Sequence, residues 1–390
     1  MLGPLLFLIF INDLPNVSKL SSWLFADDTA LALSSKNIQD LETRLNLELD
    51  KVHDWLLANG LSMHYKKKSQ FMLIHGPNSK SANFKDFSFR VNMGGNQIDQ
   101  TESYTYLGVV IDQKLSWKPQ IKYLCSKLAS VCGVLSKVRH YLDRKSLMKI
   151  YNSLFDSRLR YGLLGWGTAS DSELSKIKVL QNRAVRFITF SSFRGKVAPL
   201  YSKLRILPLV DHLLLQRASF MHSLHFKSLP FALSAYCHQP QHRYSTRYAT
   251  SLNYVLPAVA TDRGKGSIKF SGPKAWAEVP KNLKEVAFRK PFTKKFKEHI
   301  LTTTYQEMPP KSSSVFDMDD AQFIELKNLF QSDDDDEDDF LGFEKHIPEL
   351  EEIFLSDDET ENFLGFCSEQ KEDLNMIFLT DSETEDFLGF

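Results

Sequence analysis

The feature that most constrains this chain is a change of composition near residue 305. Residues 311–390 hold 26 acidic and four basic residues, whereas the whole chain of 390 residues has 48 of each. The first 310 residues therefore carry 44 basic groups against 22 acidic ones. A formal charge of zero conceals a body at +22 and a tail at −22. A tail so acidic cannot bury enough apolar surface to offset the entropy of ordering it, so residues 306–390 are expected to be disordered. Folding is left to residues 1–305. A positive balance of this size points to a polyanionic partner, RNA or DNA. The plainer alternative is a scattered basic surface that the tail neutralises.

The body has material for a core, since 43% of the chain is hydrophobic and 12% aromatic. No run of 18 uncharged apolar residues occurs, so neither a membrane-spanning helix nor a membrane partner is expected. The apolar start "MLGPLLFLIFINDLP" has neither a basic leader nor a small-residue cleavage site, which argues against a signal peptide. Cys125, Cys132, Cys237 and Cys367 show no paired spacing and read as reduced thiols. "CHQPQH", Cys237 to His242, lacks a second ligand pair and does not read as a metal site.

Along the body, "LLFLIFI" (5–11) is compatible with a buried strand or a helix. "SSWLFADDTALAL" (21–33) reads as a hairpin with Ala26–Asp28 at its bend. Ile38, Leu41, Leu45, Leu49, Val52 and Leu56 follow helical spacing, which predicts a helix over 36–58 with Gly60 at its end. "SQFMLIHG" (69–76) and "YTYLGVVID" (104–112) read as strands. Residues 118–225 are mainly helical in pattern, 237–275 form a less regular basic stretch, and a last helix is expected near 287–302.

Adjacent carboxylates on a tight hairpin repel, and basic groups or a divalent cation relieve that cost. Mg²⁺ is commonly held by one or two carboxylates together with substrate phosphate oxygens. An isolated Ala-Asp-Asp would still read as a solvated turn, because Asp favours turns. The surroundings alter that reading. "LGPLLFLIFINDLP" followed by "LFADDTAL" resembles the palm of non-LTR (LINE-type) retrotransposon reverse transcriptases. "LSMHYKKKSQFMLI" (61–74), with Lys68–Ser69 in register, is similar to the Lys-[Ser/Thr]-x-x-Met strand of that family. "YTYLGVVIDQKLSWKPQI" (104–121) resembles its palm–thumb junction. "QNRAVRFI" (181–188) and "FSGPKAWAEVPKNLK" with "FTKKFKEHIL" (270–301) resemble the tail of jockey- and CR1-like elements.

The resemblance implies an α+β fold in four parts. Residues 1–115 would be a truncated palm, a small antiparallel sheet with helices; 116–230 a helical thumb-like region; 231–305 a basic C-terminal region; and 306–390 the disordered tail. It implies that Asp27 and Asp28 are catalytic and metal-binding, for Mg²⁺ or Mn²⁺, with Lys68 as a further catalytic candidate. In that family "LGP" lies well inside the polymerase, after the fingers and after the palm strand with the first catalytic aspartate. Here Met1 directly precedes it, so the metal site is expected to be incomplete and the chain inactive alone. Lys66, Lys67, Lys68, Lys294, Lys295 and Lys297 are the nucleic-acid-binding candidates.

The tail carries a threefold repeat at 326–343, 350–366 and 374–390. Each unit has Leu-x-x-[Leu/Ile]-Phe, an acidic spacer and Phe-Leu-Gly-Phe. A solvating tail explains the acids but not the aromatics. The repeats read as short apolar helices (Leu326–Phe330, Leu350–Phe354, Leu374–Phe378) followed by anchors. Those anchors are Phe340, Gly342 and Phe343, then Phe363, Gly365 and Phe366, then Phe387, Gly389 and Phe390. Acidic Phe-x-Gly-Phe resembles the motif bound by integrase-binding domains and by N-terminal domains of elongation factors. Three functions follow as alternatives: an inactive reverse-transcriptase remnant that binds nucleic acid, a domesticated adaptor docking on chromatin or elongation factors, or a polymerase whose upstream half lies outside this chain. The nucleus is the expected location, with the cytoplasm as a second compartment.

Overall fold

A computed structural model describes residues 2–35, 37–62, 69–74, 89–192, 194–230, 233, 236–239, 252–306 and 375–381. The chain is α+β and divides into two units, Met1–Gln120 with Cys367–Phe390, and Ile121–Phe366.

The first unit begins with α1 (Leu2–Ile11), so the opening apolar run is a helix rather than a strand. Leu2, Leu5, Leu6, Leu8 and Ile9 remain exposed on it, while Ile11 is buried. Pro15 sits in a short 3-10 turn, Leu14–Asn16, where a missing N–H costs nothing. β1 (Ser21–Phe25) and β2 (Asp28–Ala32) form the expected hairpin, and β3 (Ser34–Ser35) follows. α2 (Ile38–Ala58) starts at Asn37, whose side chain accepts the Gln39 N–H at 2.9 Å. Its Leu41, Leu45, Leu49 and Val52 form the buried stripe that the spacing predicted. Gly60, at φ 71°, takes the left-handed conformation just past the C-terminus. Glu48 is also buried on α2, and its carboxylate accepts the Lys19 N–H at 2.7 Å and Lys51 Nζ at 2.6 Å.

β4 (Gln70–Ile74), β5 (Val91–Met93) and β6 (Asn96–Gln100) extend the sheet. Its order is β1-β2-β9-β4-β6-β5, where β9 is Asn375–Asp381 from the far C-terminus. The β4–β6 pairing is parallel and the other pairings antiparallel. Leu31, Leu33, Phe71, Leu73, Val91 and Ile98 share one core with the α2 stripe. Asn46 ties α2 to β5 by donating to Arg90 O (3.1 Å) and accepting from Asn92 N (2.8 Å).

Two sequence expectations are corrected here. Residues 104–112 are not one strand but a separate hairpin, β7 (Ser103–Tyr106) and β8 (Val109–Asp112). Leu107 and Gly108 turn it with φ of 46° and 72°, the pair of left-handed residues that suits the twist of tight hairpins. The apolar segment of the third tail repeat, read as a helix, is strand β9 over Asn375–Asp381. A five-residue helix has too few hydrogen bonds to offset nucleation, whereas here a strand gains partners on both sides. The remaining tail, with all nine anchor residues from Phe340 to Phe390, lies outside the described residues.

The second unit is helical, as the pattern over 118–225 indicated. α3 (Lys118–Val138) leads into it. α4 (Arg144–Ile150), capped by Asp143, runs through a π turn (Tyr151–Asp156) into α5 (Ser157–Arg160). α6 (Leu163–Trp166), α7 (Asp171–Thr189), α8 (Ala198–Leu204) and α9 (Leu209–His225) follow. The stretch read as irregular contains α10 (Asp262–Gly266) and α11 (Ile268–Ala277), succeeded by α12 (Lys281–Lys284) and α13 (Arg289–Gln306). Trp276, Phe292, Phe296, Met221 and Leu207 centre its core. Trp276 is fully buried, and its indole N–H donates to Leu252 O at 2.9 Å.

Candidate metal corner and nucleic-acid interface

The Asp27–Asp28 turn is built by strand pairing. Phe25 and Asp28 are register partners, so Ala26 and Asp27 alone make the bend. Ala26 has φ 52°, a left-handed conformation that a glycine adopts without strain and an alanine does not. Asp28 is half-buried, and burial first, then the charge of Asp27, pushes its carboxyl above the usual range. Tyr106 on the second hairpin is buried close enough to feel it. Burial, then Asp28 and Tyr104, push its phenol up to about 12. The corner is thus a pair of mutually repelling carboxylates beside a phenol that keeps its proton. A hard cation bound there relieves the repulsion. Among the described residues no cluster of three His, Cys, Asp or Glu is placed to hold a metal. Lys66, Lys67 and Lys68 lie outside the described residues.

In the second unit the lysines picked from "KKFK" separate by exposure. Lys294 and Lys295 on α13 are exposed. Lys297 is half-buried, and burial lowers its pKa while the nearby Asp156 counteracts this. Lys297 therefore belongs with an internal charge group and is the weakest of the three as a phosphate contact. That group centres on Asp156, which meets His212 Nε2 at 3.0 Å and Arg160 Nε at 2.9 Å. Burial raises the Asp156 pKa, but the His212 hydrogen bond and the neighbouring charges outweigh it and the net shift is downward.

Sequence reading missed a basic-aromatic patch where the ends of α3 and α7 meet. The Arg139 guanidinium lies 5.0 Å from the Phe190 ring centre and 5.7 Å from that of Phe187. Arg183 covers Phe187 at 5.5 Å, and His140 meets Phe190 edge-on at 6.2 Å. Phe190 is 48% exposed and the adjoining Tyr141 87% exposed. Arg186 donates to Gly195 O at 3.1 Å, which holds the loop bearing exposed Arg194 and Lys196 against α7. Exposed rings among arginines are what single-stranded nucleic acids stack upon. The signal in sequence was faint, because residues 139 and 190 meet only after folding.

"QNRAVRFI" proves to be largely a structural lock. Gln181 is buried, donating to Tyr151 Oη (3.1 Å) and Leu207 O (2.9 Å) and accepting from Leu209 N (2.9 Å). Asn182 accepts from the Tyr201 hydroxyl at 2.8 Å, and Ala184, Val185 and Ile188 are core. Asp112 at the end of "YLGVVID" is likewise a turn anchor, accepting from Ser116 N and Oγ and from Trp117 N at 2.8–3.0 Å. Cys125, Cys132 and Cys237 are free and buried, their thiols pushed up by burial to about 12, 12 and 11. Among the described residues no helix is long and apolar enough to cross a membrane.

No family model and no solved structure matches the chain. Curated proteins do. It is 26% identical over 224 residues to the RNA-directed DNA polymerase from mobile element jockey of Drosophila melanogaster, covering 54% of this chain and 24% of that protein. The Drosophila funebris counterpart is 26% identical over 200 residues, 48% of this chain and 21% of the relative. The probable RNA-directed DNA polymerase from transposon BS of Drosophila melanogaster is 28% identical over 202 residues, 48% and 21%. The matched region spans about a quarter or less of these relatives. The homologues of this chain, over about half its length, are RNA-directed DNA polymerases of jockey-like, non-LTR retrotransposons.

Proposed function

We propose that this chain is a portion of a non-LTR retrotransposon RNA-directed DNA polymerase that binds nucleic acid and does not extend a primer by itself. The observation that carries this reading is the carboxylate pair on a strained, half-buried β-turn, in a chain whose homologues are polymerases of that class. Asp27 and Asp28 would hold Mg²⁺ or Mn²⁺ together with substrate phosphates. Bound there, the ion would activate a 3′-hydroxyl and steady the leaving pyrophosphate.

Nucleic acid is held, in this reading, by the Arg139–Phe190 patch with Tyr141, Arg183, Arg194 and Lys196, and by Lys294 and Lys295. Stacking and phosphate neutralisation require no base sequence, so discrimination among sequences is small. The test is purified chain with template-primer, deoxynucleotides and Mg²⁺ or Mn²⁺. The expected result is binding without extension. Extension that Asp27→Ala abolishes would overturn it. The tail reading remains a separate proposal: Phe-x-Gly-Phe units bind an integrase-binding-type or elongation-factor N-terminal domain in the nucleus. Peptide 350–366 should bind such a domain more tightly than its Phe363→Ala/Phe366→Ala form. Equal affinities would reduce the contact to acidic attraction.

A further inference from the structure

We propose that the gap between β2 and β4 is a strand acceptor selective among the three tail repeats, taking residues 375–381 of the third and refusing the equivalent segments of the first and second. β9 is antiparallel to both neighbours. Without it, β2 and β4 would each present a bare edge in the middle of the sheet, and such edges recruit extended segments. The neighbours are built for an interior position. Leu31 and Phe71, with Leu33 and Leu73, sit on the core face beneath α2. Ala30, Ala32, Met72 and Ile74 are equally buried on alternate positions. A strand between them must be apolar on both faces.

Only one repeat meets that demand. In the third, Met376, Ile377, Phe378 and Leu379 stand in register with Ile74, Leu73, Met72 and Phe71, and Leu379 also with Leu31. The equivalent residues of the second repeat are Glu352, Ile353, Phe354 and Leu355. Glu352 would then place a charge against buried Ile74 on one side, with exposed Ser34 of β3 as its register partner on the other. The first repeat offers Asn328, Leu329, Phe330 and Gln331. Gln331 would take the position between Leu31 and Phe71, on the core face. Burying an unpaired amide or carboxylate outweighs what the remaining apolar pairs return. The strand ends with Asp381 in register with Thr29, next to Asp28, so insertion also adds an acidic residue beside the aspartate turn.

Hydrogen exchange on the unaltered full chain tests this without any substitution. Amides of 376–380 should exchange at least about 100-fold more slowly than those of 352–356 and 328–332. Similar rates for all three segments would overturn the proposal. Cross-linking gives an independent reading, because partners in register lie within disulfide reach. Under mild oxidation the full-chain variant Leu31→Cys/Leu379→Cys should form the mapped bridge. Leu31→Cys/Leu355→Cys and Leu31→Cys/Gln331→Cys should form theirs at least about tenfold less, since tail tethers of such lengths differ little in closure entropy. Comparable bridging by all three would refute selectivity.

Discussion

Replacing Gln181 by leucine should destabilise the helical unit far more than a change of one side chain of similar size suggests. Gln181 is 1% exposed, and all three of its partners are buried. The substitution leaves the Leu207 carbonyl, the Leu209 N–H and the Tyr151 hydroxyl without partners at the entry to α9. An orphaned buried group costs about 1–3 kcal/mol, and partial relaxation keeps the three from adding fully, so about 3–5 kcal/mol is expected. That is a large share of the roughly 5–15 kcal/mol that holds a domain folded. Urea unfolding followed by far-ultraviolet circular dichroism measures it, with Tyr151→Phe, which removes one of the three bonds, as a control expected to cost about 1 kcal/mol. A loss below about 1 kcal/mol for Gln181→Leu would refute the lock, because one neutral hydrogen bond alone accounts for that much.

Three further outcomes follow. Asp28→Asn should raise the melting temperature at pH 7, because ionised Asp28 is disfavoured by burial and by Asp27. The raised carboxyl makes the advantage fade as pH falls and Asp28 protonates, whereas an advantage constant from pH 7 to pH 4 would contradict that cause. Lys284 is 2% exposed, and burial pushes its pKa down to about 8. Its Nζ donates to Asn253 at 2.7 Å. The folded protein binds this proton less readily than the unfolded chain, so the site gains stability as pH rises from about 8 towards the ordinary lysine value. The melting temperature of Lys284→Met relative to the native chain should accordingly drop between pH 7 and pH 9.5, and a constant difference would refute the assignment. Phe190→Ala should weaken single-stranded RNA binding about 5- to 100-fold, as loss of a stacked base does, without altering the helical circular dichroism; unchanged affinity would remove the patch from the interface.

How far the sequence could be read depends on how local each signal was. The Leu41–Leu45–Leu49–Val52 stripe is written within one helix, and α2 followed it. The Asp27–Asp28 hairpin was equally legible, since its strands are neighbours in sequence. Residues 104–112 misled because a leucine, not an asparagine or aspartate, precedes Gly108 in a left-handed turn, and no turn residue marks the break. Lys297 could not be distinguished from Lys294 and Lys295 within "KKFK", because only the fold brings Asp156 towards it. The Arg139–Phe190 patch and the insertion of β9 join residues far apart in the chain. Periodicity does not encode such partnerships.

Nucleic-acid binding by the basic body is read most directly from its salt dependence. Fluorescence anisotropy of the full chain with an RNA–DNA template-primer, from 50 to 300 mM salt, reads out how many phosphates the basic body neutralises. With five or six cationic contacts the slope of log affinity against log salt should lie between about −3 and −6, because each neutralised phosphate releases condensed counterions. Arg139→Ala should reduce its magnitude by about one. A flat salt response, or no binding at 50 mM, would contradict the reading of this chain as a nucleic-acid-binding portion of a polymerase.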